Sequence, residues 1–216
     1  LNEANISINP MKLDITIGGR NALGIGTQAG KLSLDCSADI TTNISGDSCC
    51  GIGVMEKGTG RIAINGGSSD IVVRGKRVTG IGSVGGNAET ILNKGSVSVL
   101  CEGDNATCIG DSGGSGCVRC KGAAIKAVAK ASKETTLGLS DGKVIVTGGS
   151  ILTSDIEPLE CYSPDGKKLI QKETDGRRKF SRNIKSGKSK YVYNAEPIGE
   201  AVMYVYLPEE AARTEK

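Results

Sequence analysis

One short phrase returns five times along the chain and constrains the fold more than any other feature. Its copies are Leu23-Gly24-Ile25-Gly26, Cys50-Gly51-Ile52-Gly53, Thr79-Gly80-Ile81-Gly82, Thr107-Cys108-Ile109-Gly110 and Thr135-Thr136-Leu137-Gly138. The apolar residues of successive copies are separated by 27, 29, 28 and 28 residues. A fixed period of this size indicates stacked structural repeats and argues against a mixed globular core.

The residues between two copies predict three short strands in each period. Residues 60–64 alternate apolar and polar side chains, Asn65-Gly66-Gly67 follow as turn formers, and a second apolar run lies at 70–73. Alternation of period two, bounded by Gly and Asn, is typical of half-buried strands. The sequence therefore predicts an all-β fold, a parallel β-helix of about five coils of about 28 residues each.

Aligning the coils predicts columns of side chains that face inward, stacked at the ~4.8 Å spacing of paired strands. The four columns are Ile25, Ile52, Ile81, Ile109 and Leu137; Leu32, Ile62, Thr90, Val118 and Val144; Leu34, Ile64, Leu92, Cys120 and Val146; and Ile40, Ile71, Val97, Ile125 and Ile151. Gly on both sides of the Ile lets the chain turn sharply and the backbones of adjacent coils approach. The loops that follow each Ile-Gly are expected to gather along one edge, where repeat proteins usually carry function.

The aromatic residues divide the chain into two predicted domains. All six lie after residue 161, so we expect β-helix repeats over 1–158 and a different unit over 159–216. The second unit holds two alternating runs, 191–193 and 202–207, which predict an antiparallel hairpin that caps one end of the solenoid. Charge is also local: residues 163–190 carry 10 Lys and Arg against 3 Asp and Glu, which predicts a basic loop.

The repeat plan of residues 50–82, followed by the Tyr-rich ending at 191–208, resembles a known family. The family comprises β-helical surface proteins of gut bacteria, described as carbohydrate-binding-domain-containing proteins or adhesins. The chain departs from the family pattern at Cys50, where Ala is common, at Cys108, which replaces the first Gly, and at Thr136, which also replaces a Gly. The resemblance implies an extracellular, non-catalytic module for adhesion or carbohydrate binding.

Eight cysteines and no His leave three interpretations of the thiols open. They are small apolar core residues, disulfides in an oxidising location, or thiolate ligands of a zinc ion. Core packing is favoured because Cys120 falls in an inward column and Cys49 aligns with Ala22, Val78 and Ala106. No metal site is predicted, since the Cys spacing is irregular.

Catalysis would depend on carboxylates, Lys or Arg, and no residue set predicts a catalytic site. Some parallel β-helix proteins are calcium-dependent polysaccharide lyases, which makes such an enzyme the main alternative. Two groups of acids lie close together in sequence, Asp35 with Asp39 and Asp47, and Glu102 with Asp104 and Asp111. Neither has the spacing of a calcium loop, so we expect them to be solvated.

Two groups of residues are the predicted glycan-binding candidates: Tyr191, Tyr193, Tyr204 and Tyr206, and the basic residues Arg177, Arg178 and Lys179. Tyr rings combine an apolar face with a hydroxyl and suit sugar stacking, although the same pattern serves a capping sheet. The basic block favours an acidic polysaccharide among ligands, and a solvated charge run is the alternative.

The predicted partner is thus a polysaccharide or host glycan, acidic glycans included, with no nucleic acid, no membrane insertion and no cofactor. A ligand-free stalk is a further alternative. The chain opens at Leu1 without a charged and apolar leader, so an extracellular location predicts that a signal peptide has been removed.

Overall fold

A computed structural model describes residues 3–114, 116–139, 143–146, 149–153, 161–162, 170–174, 177–181, 189–192 and 202–208. These residues form strands and no helix, which confirms the all-β prediction. None of them forms a helix long and apolar enough to cross a bilayer. The strands are β1 Glu3–Ile8, β2 Lys12–Gly18, β3 Asn21–Thr27, β4 Lys31–Cys36, β5 Asp39–Met55, β6 Thr59–Ile64, β7 Ser68–Val84, β8 Asn87–Leu92, β9 Ser96–Ser112, β10 Cys117–Cys120, β11 Ala124–Leu139, β12 Lys143–Val146, β13 Ser150–Thr153, β14 Cys161–Tyr162, β15 Ile170–Thr174, β16 Arg177–Ser181, β17 Ser189–Val192 and β18 Val202–Pro208.

Two largely parallel sheets run the length of a β-solenoid of about five turns. Within the described residues, one sheet has seven strands in the order β1-β4-β6-β8-β10-β12-β14. The other has nine, in which β2, β5, β7, β9, β11 and β13 lie side by side and β3 also pairs with β5. Each full coil gives one short strand to the seven-stranded sheet and one long strand to the nine-stranded sheet. The predicted parallel β-helix is therefore confirmed.

The long strands differ from the predicted three short strands per coil. In the first coil the two halves are separate, as β2 and β3, whereas β5, β7 and β9 each run through 17 residues. The two halves join at a column of glycines, Gly46, Gly75 and Gly103, which pair in register. A Cβ atom at Gly75 would collide with the carbonyl oxygen of Gly46, so Gly is needed at that position, whereas the next coil places Ala131 opposite Gly103.

The column of the repeated phrase is confirmed by the register. Ile25, Ile52, Ile81, Ile109 and Leu137 pair in order from coil to coil. At the second Gly of the phrase φ is +148° for Gly26, +151° for Gly53, +134° for Gly82 and +135° for Gly110. L-residues rarely adopt such angles, so this Gly is required where the chain turns its Ile inward.

Three of the predicted column placements are wrong. Leu32 pairs with Gly60 and not with Ile62, whose partner is Leu34, and Ile64 pairs with Cys36. Ile40 pairs with Ser69. Ile71, the next inward residue after Ser69 in β7, pairs instead with Thr42 and Val99. The alignment matched apolar residues with apolar residues, but the observed register places small or hydroxyl residues at some of the inward positions. Thr42, Ser69 and Thr90 are accordingly buried in the core.

The core consists of one long cluster and one small one. The long cluster extends along the solenoid axis from Ala22 to Ala129. The small cluster holds Cys50, Met55 and Val84 with Leu23 packed against them. In the neighbouring coil the Thr79 hydroxyl donates to the carbonyl oxygen of Ser83 at 3.0 Å.

The end of the solenoid nearest the C-terminus carries antiparallel strands, as predicted. β18 pairs antiparallel with β13, the last parallel strand of its sheet, and β17 pairs antiparallel with β18. β14 continues the seven-stranded sheet by pairing parallel with β12. In the basic block, β15 and β16 form an antiparallel hairpin where the sequence predicted a loop. The division at residue 158 stays a prediction.

Candidate functional site

The predicted glycan-binding residues lie on two hairpins. Tyr191 pairs with Tyr206 across β17 and β18, and Tyr204 pairs with Ile151 of β13. Arg177, Arg178 and Lys179 belong to β16, whose backbone lies beside that of β17. Tyr193 lies outside the described residues. The fold thus brings three of the four tyrosines onto one hairpin and places the basic strand next to it.

A groove on the outer face of the seven-stranded sheet is the site that sequence reasoning missed. It has a volume of about 460 Å³ and crosses four successive strands, β1, β4, β6 and β8. Its lining carries charges of both signs but exposes more apolar than polar surface, and it consists of Glu3, Asn5, Lys31, Leu32, Ser33, Thr59, Gly60, Arg61 and Glu89. Such a volume lies within the range of small-molecule sites.

The solenoid register builds this groove from residues about one coil apart in sequence. Every second residue of a strand points outward, so Asn5, Ser33, Arg61 and Glu89 follow one another across adjacent strands in register. The short side chains on the two middle strands, Ser33 and Thr59, lie beside the longer side chains of Arg61 and Lys31. No signal in the sequence marks this set, because each member is an ordinary outward residue of a different strand.

Ion pairs hold the charged side chains of the groove. Lys31 Nζ lies 3.1 Å from Glu3 Oε1, and Arg61 Nη1 lies 3.2 Å from Asp35 Oδ1. Arg119 Nε lies 2.7 Å from Glu89 Oε1, and this hydrogen bond raises the pKa of the Arg119 guanidinium. All of these pairs are partly exposed, so each contributes roughly 0–1 kcal/mol to stability.

A second set of charges lies on the nine-stranded sheet. Glu102 accepts hydrogen bonds from Arg74 Nε at 2.7 Å and from Lys130 Nζ at 3.2 Å, and these bonds lower its pKa. Asp47 lies 3.0 Å from Lys76 Nζ, whose hydrogen bond lowers the pKa of Asp47. These two carboxylates are therefore engaged in surface ion pairs.

Asp111 contradicts the expectation that both groups of acids are solvated. Only 1% of its surface is exposed, and its Oδ2 accepts the backbone N–H groups of Ala88 at 2.8 Å and Gly116 at 3.1 Å. Burial raises the pKa of this carboxyl group, and the hydrogen bonds oppose the shift. Asp111 ties two coils together and is enclosed by the protein.

Six cysteines of the described residues pack in the core, as the sequence favoured. Cys36, Cys49, Cys50 and Cys101 are free thiols and are fully buried, and Cys108 and Cys120 are buried too. Burial raises the pKa values of Cys36, Cys49 and Cys50 above the ordinary thiol value. Adjacent Cys49 and Cys50 contribute to different clusters of the core. These thiols are enclosed by the core and inaccessible, which excludes them as nucleophiles.

The turns after the repeated phrase gather at one edge, as predicted, but they are short. Residues 28–30, 56–58 and 85–86 connect long strands to the next short strands. Backbone hydrogen bonds join these turns between coils, for example from Asn87 N to the carbonyl oxygen of Gly58 at 3.1 Å. They form a tight corner and offer little room for a site.

Within the described residues, no three of the side chains from His, Cys, Asp and Glu come together as a metal site would require. Comparisons of the chain with protein-family models, with curated proteins and with solved structures found no match. The resemblance to bacterial surface proteins stays a prediction from the sequence, and the fold rests on the structure.

Proposed function

We propose that the chain is a non-catalytic module of a bacterial surface protein that binds carbohydrate outside the cell and thereby serves adhesion. The observation that carries this proposal is the open groove across β1, β4, β6 and β8. It is an open groove that crosses four strands and presents hydrogen-bonding groups from each of them, which suits a ligand that extends across the strands.

The chemistry of the lining supports a polyol ligand. Ser33 and Thr59 offer hydroxyl groups and Asn5 offers an amide, and all three side chains can both donate and accept hydrogen bonds. These groups recur at the ~4.8 Å strand spacing. A glycan presents hydroxyl groups at comparable intervals along its length, so several sugar units could be held at once.

The Tyr hairpin offers a second surface for the same function. Tyr191 and Tyr206 are direct partners in β17 and β18, and Tyr204 lies two residues before Tyr206 in the same strand. Tyr combines an apolar ring with a hydroxyl group, as a sugar-binding platform requires. The neighbouring strand β16 carries Arg177, Arg178 and Lys179, which favour an acidic glycan there.

The lyase alternative needs carboxylates that are available to a calcium ion or a substrate. Glu102 and Asp47 are held in ion pairs, and Asp111 is buried against backbone N–H groups. These contacts favour a binding role. Incubation with uronate polymers and calcium, followed by the ultraviolet absorbance of unsaturated ends, should give no product, and product formation would overturn the non-catalytic proposal.

A glycan array with matched variants tests the binding proposal. Ser33→Ile fills the middle of the groove, and Ser98→Ile makes the same change on the outer face of the nine-stranded sheet, where Ser98 is also half-buried. Ile is a good strand former, so both variants should fold. We expect Ser33→Ile to lose glycan retention and Ser98→Ile to keep it.

The double variant Tyr204→Ala/Tyr206→Ala tests the hairpin on the same array. Loss of retention on acidic glycans alone would assign that surface to a second ligand. If the unmodified chain retains no glycan at all, the carbohydrate proposal fails and a structural stalk becomes the better account.

A further inference from the structure

We infer that the groove on the seven-stranded sheet takes an uncharged glycan, lying along the solenoid axis, and does not take the acidic polysaccharide that the basic block favours. This inference rests on the proposed carbohydrate-binding function and specifies the ligand class of the same site. It follows from the charges of the groove, from the partners of those charges and from the direction in which the groove runs.

The charges of the groove cancel. Its lining includes two cations, Lys31 and Arg61, and two anions, Glu3 and Glu89. The two further residues in contact with them, Asp35 and Arg119, are also of opposite sign. The groove therefore presents no net field to attract or steer an anionic polymer.

Each cation of the groove already has a carboxylate partner. Lys31 is held by Glu3 at 3.1 Å, and Arg61 is held by Asp35 at 3.2 Å, where Asn65 Nδ2 also donates to Asp35 Oδ1. A uronate or sulfate group entering the groove would have to displace these carboxylates and remain close to them. Like charges at such distances repel, so an anionic ligand gains little by exchanging one anion for another.

The uncharged groups remain available to a neutral ligand. Asn5, Ser33 and Thr59 line the groove on the adjacent strands β1, β4 and β6, and their side chains both donate and accept hydrogen bonds. The four strands span about 14 Å at the ~4.8 Å spacing of a sheet. An extended neutral oligosaccharide of a few units matches this length, with its chain perpendicular to the strands.

A double variant that removes two negative charges from the groove tests the inference. Glu3→Gln combined with Asp35→Asn removes both partners of the groove cations and changes the local charge by two. Asp14→Asn combined with Asp70→Asn makes the same change in total charge on the nine-stranded sheet, where both carboxylates are exposed. Only the first double variant should alter which glycans the groove binds.

Calorimetric titration of the full chain with cello-, xylo- and manno-hexaose and with hexagalacturonate tests this at about 50 and 500 mM NaCl, since high salt screens exposed charges. We expect at least one neutral hexasaccharide to bind, with a Kd that changes less than about twofold with salt, and the part of the hexagalacturonate binding that Ser33→Ile removes to be at least about tenfold weaker. The Glu3→Gln/Asp35→Asn variant should gain about tenfold in affinity for hexagalacturonate at low salt and lose the gain at high salt. The Asp14→Asn/Asp70→Asn control should gain nothing.

The outcomes separate the inference from the function on which it rests. Tight, salt-sensitive binding of hexagalacturonate that Ser33→Ile abolishes would overturn the neutral-ligand inference and leave carbohydrate binding intact. Neutral binding that Ser33→Ile leaves unchanged would overturn the assignment to the groove. If neither the hexasaccharides nor a wider glycan array shows binding, the proposed function fails and the inference fails with it.

Discussion

Replacing Gly82 by Ala is expected to destabilise the solenoid more than any exposed substitution. Gly82 closes the third copy of the repeated phrase at φ +134°, an angle that an L-residue adopts only with strain. A Cβ atom there would also collide with the carbonyl oxygen of Gly110 in the next coil. Both costs arise in a segment that is fully buried, so the side chain cannot turn away into solvent.

The magnitude follows from these two effects. The unfavourable φ costs roughly 1–2 kcal/mol, and moving the neighbouring coil to make room costs about 1–3 kcal/mol, as overpacking usually does. We therefore expect Gly82→Ala to lower the free energy of unfolding by about 2–5 kcal/mol, a large part of the usual 5–15 kcal/mol. In a chain of this size the melting temperature should fall by about 5–15 °C.

Urea denaturation followed by far-ultraviolet circular dichroism measures the change, with Gly66→Ala as the matched control. No heavy atom lies within 4 Å of a Cβ atom built on Gly66, and its φ lies outside the range that disfavours side chains. Gly66→Ala should change the stability by less than about 0.5 kcal/mol or raise it slightly. Equal unfolding free energies for the two variants would refute the role assigned to the repeated phrase.

Three further predictions follow from single residues. Glu56 has φ 54°, whereas Gly85 and Gly113 occupy the equivalent turns with φ 76° and 86°. Glu56→Gly should therefore raise the free energy of unfolding by up to about 1 kcal/mol in the same assay. A decrease would show that the backbone of Glu56 is not strained. Burial raises the pKa of Asp111, so the folded chain favours the protonated carboxyl group. The stability of the native chain relative to Asp111→Asn should therefore fall as pH rises from about 4 through the folded pKa. Melting temperatures of the two proteins that change equally with pH over this range would contradict it. Iodoacetamide should modify Cys36, Cys49, Cys50 and Cys101 only after unfolding, as peptide mass mapping would show, and labelling of the native chain would mean that these thiols are accessible.

The periodicity of the sequence predicts the solenoid because every coil repeats the same pair, an inward apolar residue followed by Gly. The column from Ile25 to Leu137 is specified twice, by the apolar residue and by the Gly that must follow it. The misaligned columns had only one signal, an apolar residue, and the hydrophobic core tolerates Gly60 and Ser69 where that signal is missing. Register is therefore predictable where backbone conformation constrains the residue, and less so where side-chain character alone does.

The groove escaped prediction because its residues carry no pattern along the chain. Asn5, Ser33 and Thr59 are ordinary outward residues of three different strands, and each would be a solvated polar residue in isolation. Asp111 escaped for the converse reason: it lies in a loop-like stretch by composition, yet the fold buries it in the column of Val54 and Ser83. In both cases the neighbour across the sheet comes from the adjacent coil: Ser33 pairs with Arg61, and Asp111 pairs with Ser83.

The core and the groove are nevertheless linked through one property, the register of the seven-stranded sheet. Each strand alternates inward and outward residues, so the pairing that places Leu34 against Ile62 also places Ser33 against Arg61. A slip of one residue between two strands would expose the apolar column and bury the charged one, which the loss of hydrophobic burial opposes at about 25 cal/mol per Å². The outward residues are thus free to vary in chemistry while the inward residues fix their positions, so changes in ligand preference require substitutions on one face only.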